Sequence, residues 1–398
     1  MIDQVPDHMA ARHEWHRPDY ALLAAVAVLL VIGLDMVYSA SYVIAHNNPA
    51  YGSDTYFLVR QLIWAGMGAI GLLIFQIIDY HRWQRLTVPL MAVIVILLFI
   101  VLVSRLGHSA YGAQRWLQIG PLPPLQPSEF AKFALVLYYA EWLSRRRDRI
   151  TSFSEVTLPF GVTVAVVCGL VVMQPDLGSA FVIATTAVCL FFVAGADVRH
   201  LIGGLVVGTG AMVLLILDAS YRSQRITAFL NPASDPLGVG WNITQAEIAL
   251  GSGGIFGLGL GASRQKFYYL PNAHTDAIFA VIGEELGLLG TAAILILFAV
   301  IAYRGYRIAI QAPDSYGALL ASGITSWLVV QALINVAVIT AVIPFTGIPL
   351  PFVSFGGSSL IVSLVAVGVL LNVSRQPAGF RPDRRRNHGA EPFVWGAE

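Results

Sequence analysis

The chain has 398 residues, of which 57% are hydrophobic and 12% charged, and its formal net charge is +1. A soluble globule carries about 25% charged residues, so a mostly wet surface is excluded, and a mean hydropathy of +0.70 marks an integral membrane protein. The net charge itself says nothing about nucleic acid, but the six basic residues on the outer segments are too few to bind one; the two cysteines, Cys168 and Cys189, lie in apolar runs and exclude a disulfide framework or a cysteine metal site.

A membrane helix takes about 20 mostly apolar residues. Residues 1–19, which mix Asp3, Asp7 and Glu14 with Arg12 and Arg17, read as a short cytoplasmic tail. They are not a cleaved leader, because the apolar run behind them is too long for a signal core. Ten spans are then predicted: Tyr20–Ala45, Phe57–Ile78, Leu86–Val103, Pro127–Leu143, Val156–Met173, Gly178–Gly195, Leu201–Leu217, Ala277–Ala302, Tyr316–Ala341 and Ser354–Val373. The fifth and sixth are split by a polar hairpin, Gln174 to Gly178, punctuated by Pro175. Residues 20–374 are thus one transmembrane domain. Residues 375–398, rich in Arg, Pro and Gly, read as a disordered cytoplasmic tail that touches anionic lipid.

Lys and Arg set the orientation. With both termini inside, sixteen basic residues fall on cytoplasmic segments and six on outer ones. An odd number of spans would put the Arg145 to Arg149 cluster and the C-terminal arginines on opposite sides. The predicted fold class is therefore all-α integral membrane, a polytopic bundle of about ten helices. Its large extracytoplasmic loop, about residues 218–276, joins spans 7 and 8. Within that loop Tyr221–Leu230 has the pattern of a helix lying on the membrane surface, and Trp241–Leu250 is helical in character.

Chemistry concentrates at the outer ends of the spans. Tyr268 to Asp276 packs an aromatic pair, a proline, His274, Thr275 and an acid against the mouth of the eighth span. An intramembrane or interfacial acid is costly unless it meets water, a partner or a substrate. Asp276 is either a helix-end acid, with Thr275 as cap, or a functional carboxylate. Glu284 and Glu285 follow about 12 Å deeper, so at least one must face the protein interior. Pro127-Ser128-Glu129-Phe130-Ala131-Lys132 opens the fourth span, and Glu129 and Lys132 share a helix face. They are an internal ion pair or the lining of an outward-facing cavity. Asp176 is read as the cap of the sixth span. Asp35 lies well inside the first span and has no assigned partner.

The glycines from Gly251 to Gly261 do not form a nucleotide loop, because no register after a strand fits and no Walker lysine follows. Close packing at the membrane surface suits them better. The Ser354–Ser359 cluster offers N–H groups to an anion or close packing to a neighbouring helix.

Six segments in order resemble one family. They are VYSAS at Val37–Ser41, AQRWLQIG at Ala113–Gly120, LQPSEFAK at Leu125–Lys132, QPDLGSA at Gln174–Ala180, the run from Ala249 to Gly290, and TGIPLPFVSFGGSS at Thr346–Ser359. Together they resemble the SEDS family (shape, elongation, division and sporulation: FtsW, RodA and SpoVE). GLGLGASRQKFYYLP is more similar to the FtsW branch. Asn272, Ala277 and Phe355 depart from the common pattern, which has Glu, Phe and Tyr there.

The resemblance implies a peptidoglycan glycosyltransferase of the bacterial cytoplasmic membrane. Its substrate is lipid II, a disaccharide-peptide on undecaprenyl pyrophosphate, polymerised at the outer face with inversion to β-1,4 bonds in cell division or elongation. Its partners are a class B penicillin-binding protein transpeptidase and other divisome or elongasome membrane proteins. On this reading Asp276 is the catalytic base or holds a divalent cation, Mg or Mn, on the pyrophosphate. Glu129, Lys132, Arg115, Trp116, Arg222, Arg225, Lys266, His274 and Ser358 are the substrate-binding candidates, the cations as phosphate clamps and Trp116 as a sugar stack. Two rivals are a lipid II flippase and a non-enzymatic scaffold that recruits the transpeptidase.

Overall fold

The structure is a computed structural model; it describes residues 17–103, 107–110, 113–118, 124–218, 220–235 and 238–376. The predicted tails lie almost wholly outside these residues. The apolar segments fold as helices because nothing else satisfies their backbone in lipid. In chain order they are α1 (Tyr20–Asn47), α2 (Tyr56–Ile77), α3 (Thr87–Val103), α4 (Pro127–Ser144), α5 (Leu158–Met173), α6 (Leu177–Val193), α7 (Val198–Asp218), α8 (Ser220–Leu230), α9 (Val239–Gly253), α10 (Ile278–Ile310), α11 (Ser315–Ile339) and α12 (Gly357–Ser374). A small antiparallel hairpin, β1 (Gly107–Ala110) and β2 (Ala113–Leu117), sits between α3 and α4.

Each predicted span falls on a helix. Among the described residues seven helical stretches are long and apolar enough to cross a membrane, and α6 and α7 contribute shorter apolar runs. The two helices read within the long loop are α8 and α9.

Burial is graded across the bundle. Helix α11 is buried along most of its length and packs on α4, α6 and α10, so it is the central post. Helix α12 lies along α2, with Gly368 set against the backbone of Leu72. One end is tied by Arg304, whose Nη2 is 2.6 Å from Asp19 Oδ2. It is tied also by Asp314, which caps α11 through the Gly317 N–H at 2.8 Å and accepts from the Tyr80 hydroxyl.

The opposite end holds the main departure from a plain bundle. Helix α10 breaks at Gly287, where φ is 67° and ψ −162°. The glycine-rich segment after α9 fills the break. Leu258 and Gly259 donate to the carbonyls of Glu284 and Glu285, at 3.0 Å each, and Leu288 donates to Gly254 O at 2.9 Å. Both glutamates are buried, and their side chains are taken by the same segment. Glu284 accepts from the N–H groups of Arg264 (3.0 Å) and Gln265 (3.3 Å), and Glu285 from those of Gly261 (2.9 Å) and Ser263 (3.3 Å). The acids therefore staple the long loop to α10. A Cβ on Gly287 would lie 2.4 Å from Gly257 N and 2.5 Å from Ile255 O, at a backbone angle that side chains resist. Gly287→Ala is expected to destabilise by about 3 kcal/mol or more, read as a lower thermal midpoint in detergent; an unchanged midpoint would mean the staple carries no weight.

Candidate active site

Helix α4 starts with Pro127 at its first turn, where the missing N–H costs nothing. Its next turn carries Glu129 and Lys132, 1% and 2% exposed. Their spacing puts both on the face turned to α11, and Lys132 Nζ donates to Glu129 Oε1 at 2.8 Å and to Gln331 Oε1 at 2.7 Å. The Trp327 ring lies beneath the ammonium, 5.7 Å to its centroid, and the indole N–H also donates to Gln331 at 2.9 Å. Glu129 Oε2 is buried with no hydrogen-bond partner. A buried carboxylate oxygen left open calls for water or a ligand group.

One helical turn along α11, Asn335 performs the matching task for Asp276. Its Nδ2 donates to Asp276 O at 2.8 Å and to Ile348 O at 2.7 Å, while Gln331 Nε2 donates to Pro349 O at 3.0 Å. Gln331 and Asn335, about 6 Å apart in rise along α11, thus hold the connector between α11 and α12, one touching the Glu129–Lys132 pair and the other the Asp276 main chain. Neither α11 residue is among the candidates the sequence offers. Two amides four apart in an apolar span were the available signal, since such groups face a partner rather than lipid.

Asp276 is less open than its place at a helix mouth implies. It is 8% exposed and accepts from the Thr275 hydroxyl at 3.0 Å. Thr275 does not cap α10, which starts at Ile278 without a side-chain cap. Burial pushes the Asp276 carboxyl up to about 6, against the Thr275 hydrogen bond and the charge of Arg225, which favour ionisation. The cover is thin. A Cβ on the exposed Gly347 would sit 3.4 Å from Asp276 Oδ2, and Gly347 has φ 74°.

The other candidates divide. Arg225, on α8, faces Asp276 electrostatically and donates from Nη1 to Phe345 O at 3.2 Å. The side chain of Arg222 lies outside the described residues. Lys266 is turned inward, where Nζ donates to Glu285 Oε1 (3.0 Å), Ser39 Oγ (3.0 Å) and Gly261 O (2.7 Å). That is a correction to its reading as a phosphate clamp, because its charge is spent on the loop staple. Arg115 likewise donates to Gln174 O at 3.2 Å and to Pro175 O, with Asp176 at 4.0 Å. It braces the hairpin between α5 and α6 rather than standing free; Trp116, beside it, is half-buried.

Asp176 caps α6 as expected, accepting from Ser179 N–H at 3.1 Å, and also accepts from Gln126 Nε2 at 3.1 Å and Ser128 Oγ at 3.2 Å. Ser358 Oγ accepts from Gln126 N–H at 3.1 Å, so it joins α12 to α4. His274 packs between Phe57 (4.7 Å) and Phe355 (5.7 Å), ring to ring. Burial lowers it to about 4, so it is neutral, and its Nδ1 has no partner. Among the described residues no three His, Cys, Asp or Glu side chains converge to hold a metal ion.

Similarity to known proteins runs the length of this architecture. Residues 20–378 match the family described as cell cycle protein, FtsW, RodA and SpoVE. A probable peptidoglycan glycosyltransferase FtsW from Trichlorobacter lovleyi is 45% identical over 356 residues, 89% of this chain and 93% of the relative. Stage V sporulation protein E of Bacillus subtilis is 45% identical over 358 residues, 90% and 97% of the two chains. A chain from a structure described as the coordination of polymerization and crosslinking by a peptidoglycan synthase complex superposes with a TM-score of 0.72 at 29% identity, over 91% of this chain and 99% of that one. Rod shape determining protein RodA of Thermus thermophilus gives 0.66 at 29% identity, over 92% and 98%. The chain, a multi-pass membrane protein, belongs to the FtsW, RodA and SpoVE family of cell cycle proteins.

Proposed function

We propose that this chain is a peptidoglycan glycosyltransferase of cell division, polymerising lipid II at the outer face of the bacterial cytoplasmic membrane with both termini inside. The observation that carries the reading is the rail on α11, where Gln331 and Asn335 hold an ion pair with an open carboxylate oxygen one turn from a buried aspartate. A carboxyl raised to about 6 is still ionised near neutral pH and is basic enough to take a proton. Asp276 accepts the proton of the acceptor sugar hydroxyl as its oxygen bonds to the donor's anomeric carbon. The anomeric carbon–oxygen bond to pyrophosphate breaks, and the electron pair leaves with the undecaprenyl pyrophosphate. Arg225, beside Asp276, meets that charge. Glu129 Oε2 and Lys132 orient the saccharide. Substrate reaches Asp276 by displacing the thin cover around Gly347.

A single carboxylate beside a cation is a poor cage for Mg or Mn, so the residues present fit proton transfer better. The flippase reading is not favoured, since the FtsW relatives are named for glycosyl transfer. A class B penicillin-binding protein is the partner that fits the likeness to a chain of a peptidoglycan synthase complex. Purified chain with such a partner, given labelled lipid II while a β-lactam blocks cross-linking, is expected to yield a ladder of glycan strands. Transfer of labelled lipid II across vesicles without any ladder would overturn the assignment in favour of transport; recruitment of the partner with neither activity would favour a scaffold.

A further inference from the structure

Asp35 is an acid near the middle of α1, 15 residues after Tyr20 and 12 before Asn47, hence about 18–22 Å from either end. It is exposed, on the outward side of the bundle. Among the described residues it makes no hydrogen bond or ion pair. Of the charged groups on elements packed against α1, Lys266, Arg60 and Arg304 are engaged elsewhere, and the exposed Arg307 lies a turn beyond Arg304 on α10. Lys266 reaches Ser39, one turn away, but is spent on Glu285. Arg60 lies over the Tyr56 ring, and Arg304 binds Asp19 at the end of the helix.

The residues around Asp35 form a seam. Ala24, Val28, Val31, Asp35, Tyr38 and Tyr42 are all exposed and recur at spacings of four and three, the period of a helix packed lengthwise on another. Ala24 and Ala27 on the first half permit close backbone approach. On the second half Tyr38, Tyr42 and His46 form an aromatic ladder, with centroids 6.0 and 5.7 Å apart. Acyl chains offer a carboxylate no donor, and a second copy related by a two-fold axis on this seam would oppose Asp35 with Asp35. A basic residue from a different helix satisfies it.

We propose that this face of α1 docks a membrane-spanning helix of another protein that carries a lysine or arginine near its midpoint. The surface is separate from the Asp276 site, so the inference stands apart from the enzymatic reading.

The test uses the full chain in vesicles and a leucine–alanine peptide of about 20 residues with one central lysine, followed by energy transfer. The lysine peptide is expected to bind roughly tenfold tighter than the same peptide with leucine. The preference should vanish in Asp35→Leu and persist in Asp35→Glu, while lipid II polymerisation by the purified Asp35→Leu complex is unchanged. Equal binding of the two peptides, or a lysine preference that survives in Asp35→Leu, overturns the proposal. A photocrosslinker at Val31 in the native membrane is expected to capture a helix with a mid-span basic residue. Crosslinks only to another copy of this chain would assign the seam to self-association and overturn it equally.

Discussion

Asp276→Asn is expected to abolish glycan polymerisation, lowering kcat by at least about a hundredfold, while raising the stability of the fold near neutral pH. The two effects have one cause. Folding raises this carboxyl from its ordinary value of 3.8 to about 6 because burial penalises the charge. The folded chain therefore holds the proton more tightly than the unfolded chain. Its contribution to stability is fully present below the unfolded value and is lost as pH rises through about 6. At pH 7.5 the buried, ionised carboxylate weighs against the fold by roughly 3 kcal/mol, and asparagine removes that cost. Thermal midpoints of the two proteins should differ most at pH 7.5 and converge as pH falls toward 4. In the wild type, polymerisation should fall about tenfold per unit below pH 6 as the base becomes protonated. An asparagine variant less stable than the wild type at pH 7.5 would instead give Asp276 a structural task, and near-normal polymerisation by that variant would remove it from the chemistry.

Much of this architecture is legible in the sequence because membrane helices announce themselves by length and apolarity. Each predicted span falls on a helix, and even the helices of the long loop show their pattern. The staple at Gly287 is not legible, because its main-chain hydrogen bonds and the carboxylate acceptors that join them link segments roughly 20 to 34 residues apart and leave no period. Its trace is the coincidence of a glycine-rich stretch with two adjacent acids deep in a helix, each of which has a local reading of its own.

Lys266 and Arg115 show the same limit from the other side. A cation in a loop between spans looks free in sequence, yet a loop that folds back spends the charge on its own carbonyls and acids. Asp276, Glu129 and Lys132 stand out in the sequence because a charge near lipid is costly wherever it sits. Gln331 and Asn335 were missed because a neutral amide is cheaper to bury and so stands out less. They are nevertheless the groups that give the site its geometry.

The Glu129–Lys132 pair supplies the second large effect. Lys132→Met leaves the Glu129 carboxylate at 1% exposure without its cation and takes a donor from Gln331, which should cost about 3–5 kcal/mol and much of the folded yield. Loss of activity in that variant alone is ambiguous. The double variant Glu129→Gln with Lys132→Met separates the explanations. Replacing a buried ion pair by neutral groups of similar size is often neutral or stabilising, and a glutamine at 129 retains an amide for Gln331. The double variant is expected to recover most of the thermal midpoint yet polymerise lipid II at less than about 1% of the wild-type rate. An ion pair that served only to join α4 to α11 would be dispensable once that join is rebuilt, so recovery of polymerisation together with stability would reduce Glu129 and Lys132 to scaffolding. Recovery of stability alone places the open oxygen of Glu129 and the ammonium beside it in contact with the saccharide or its diphosphate.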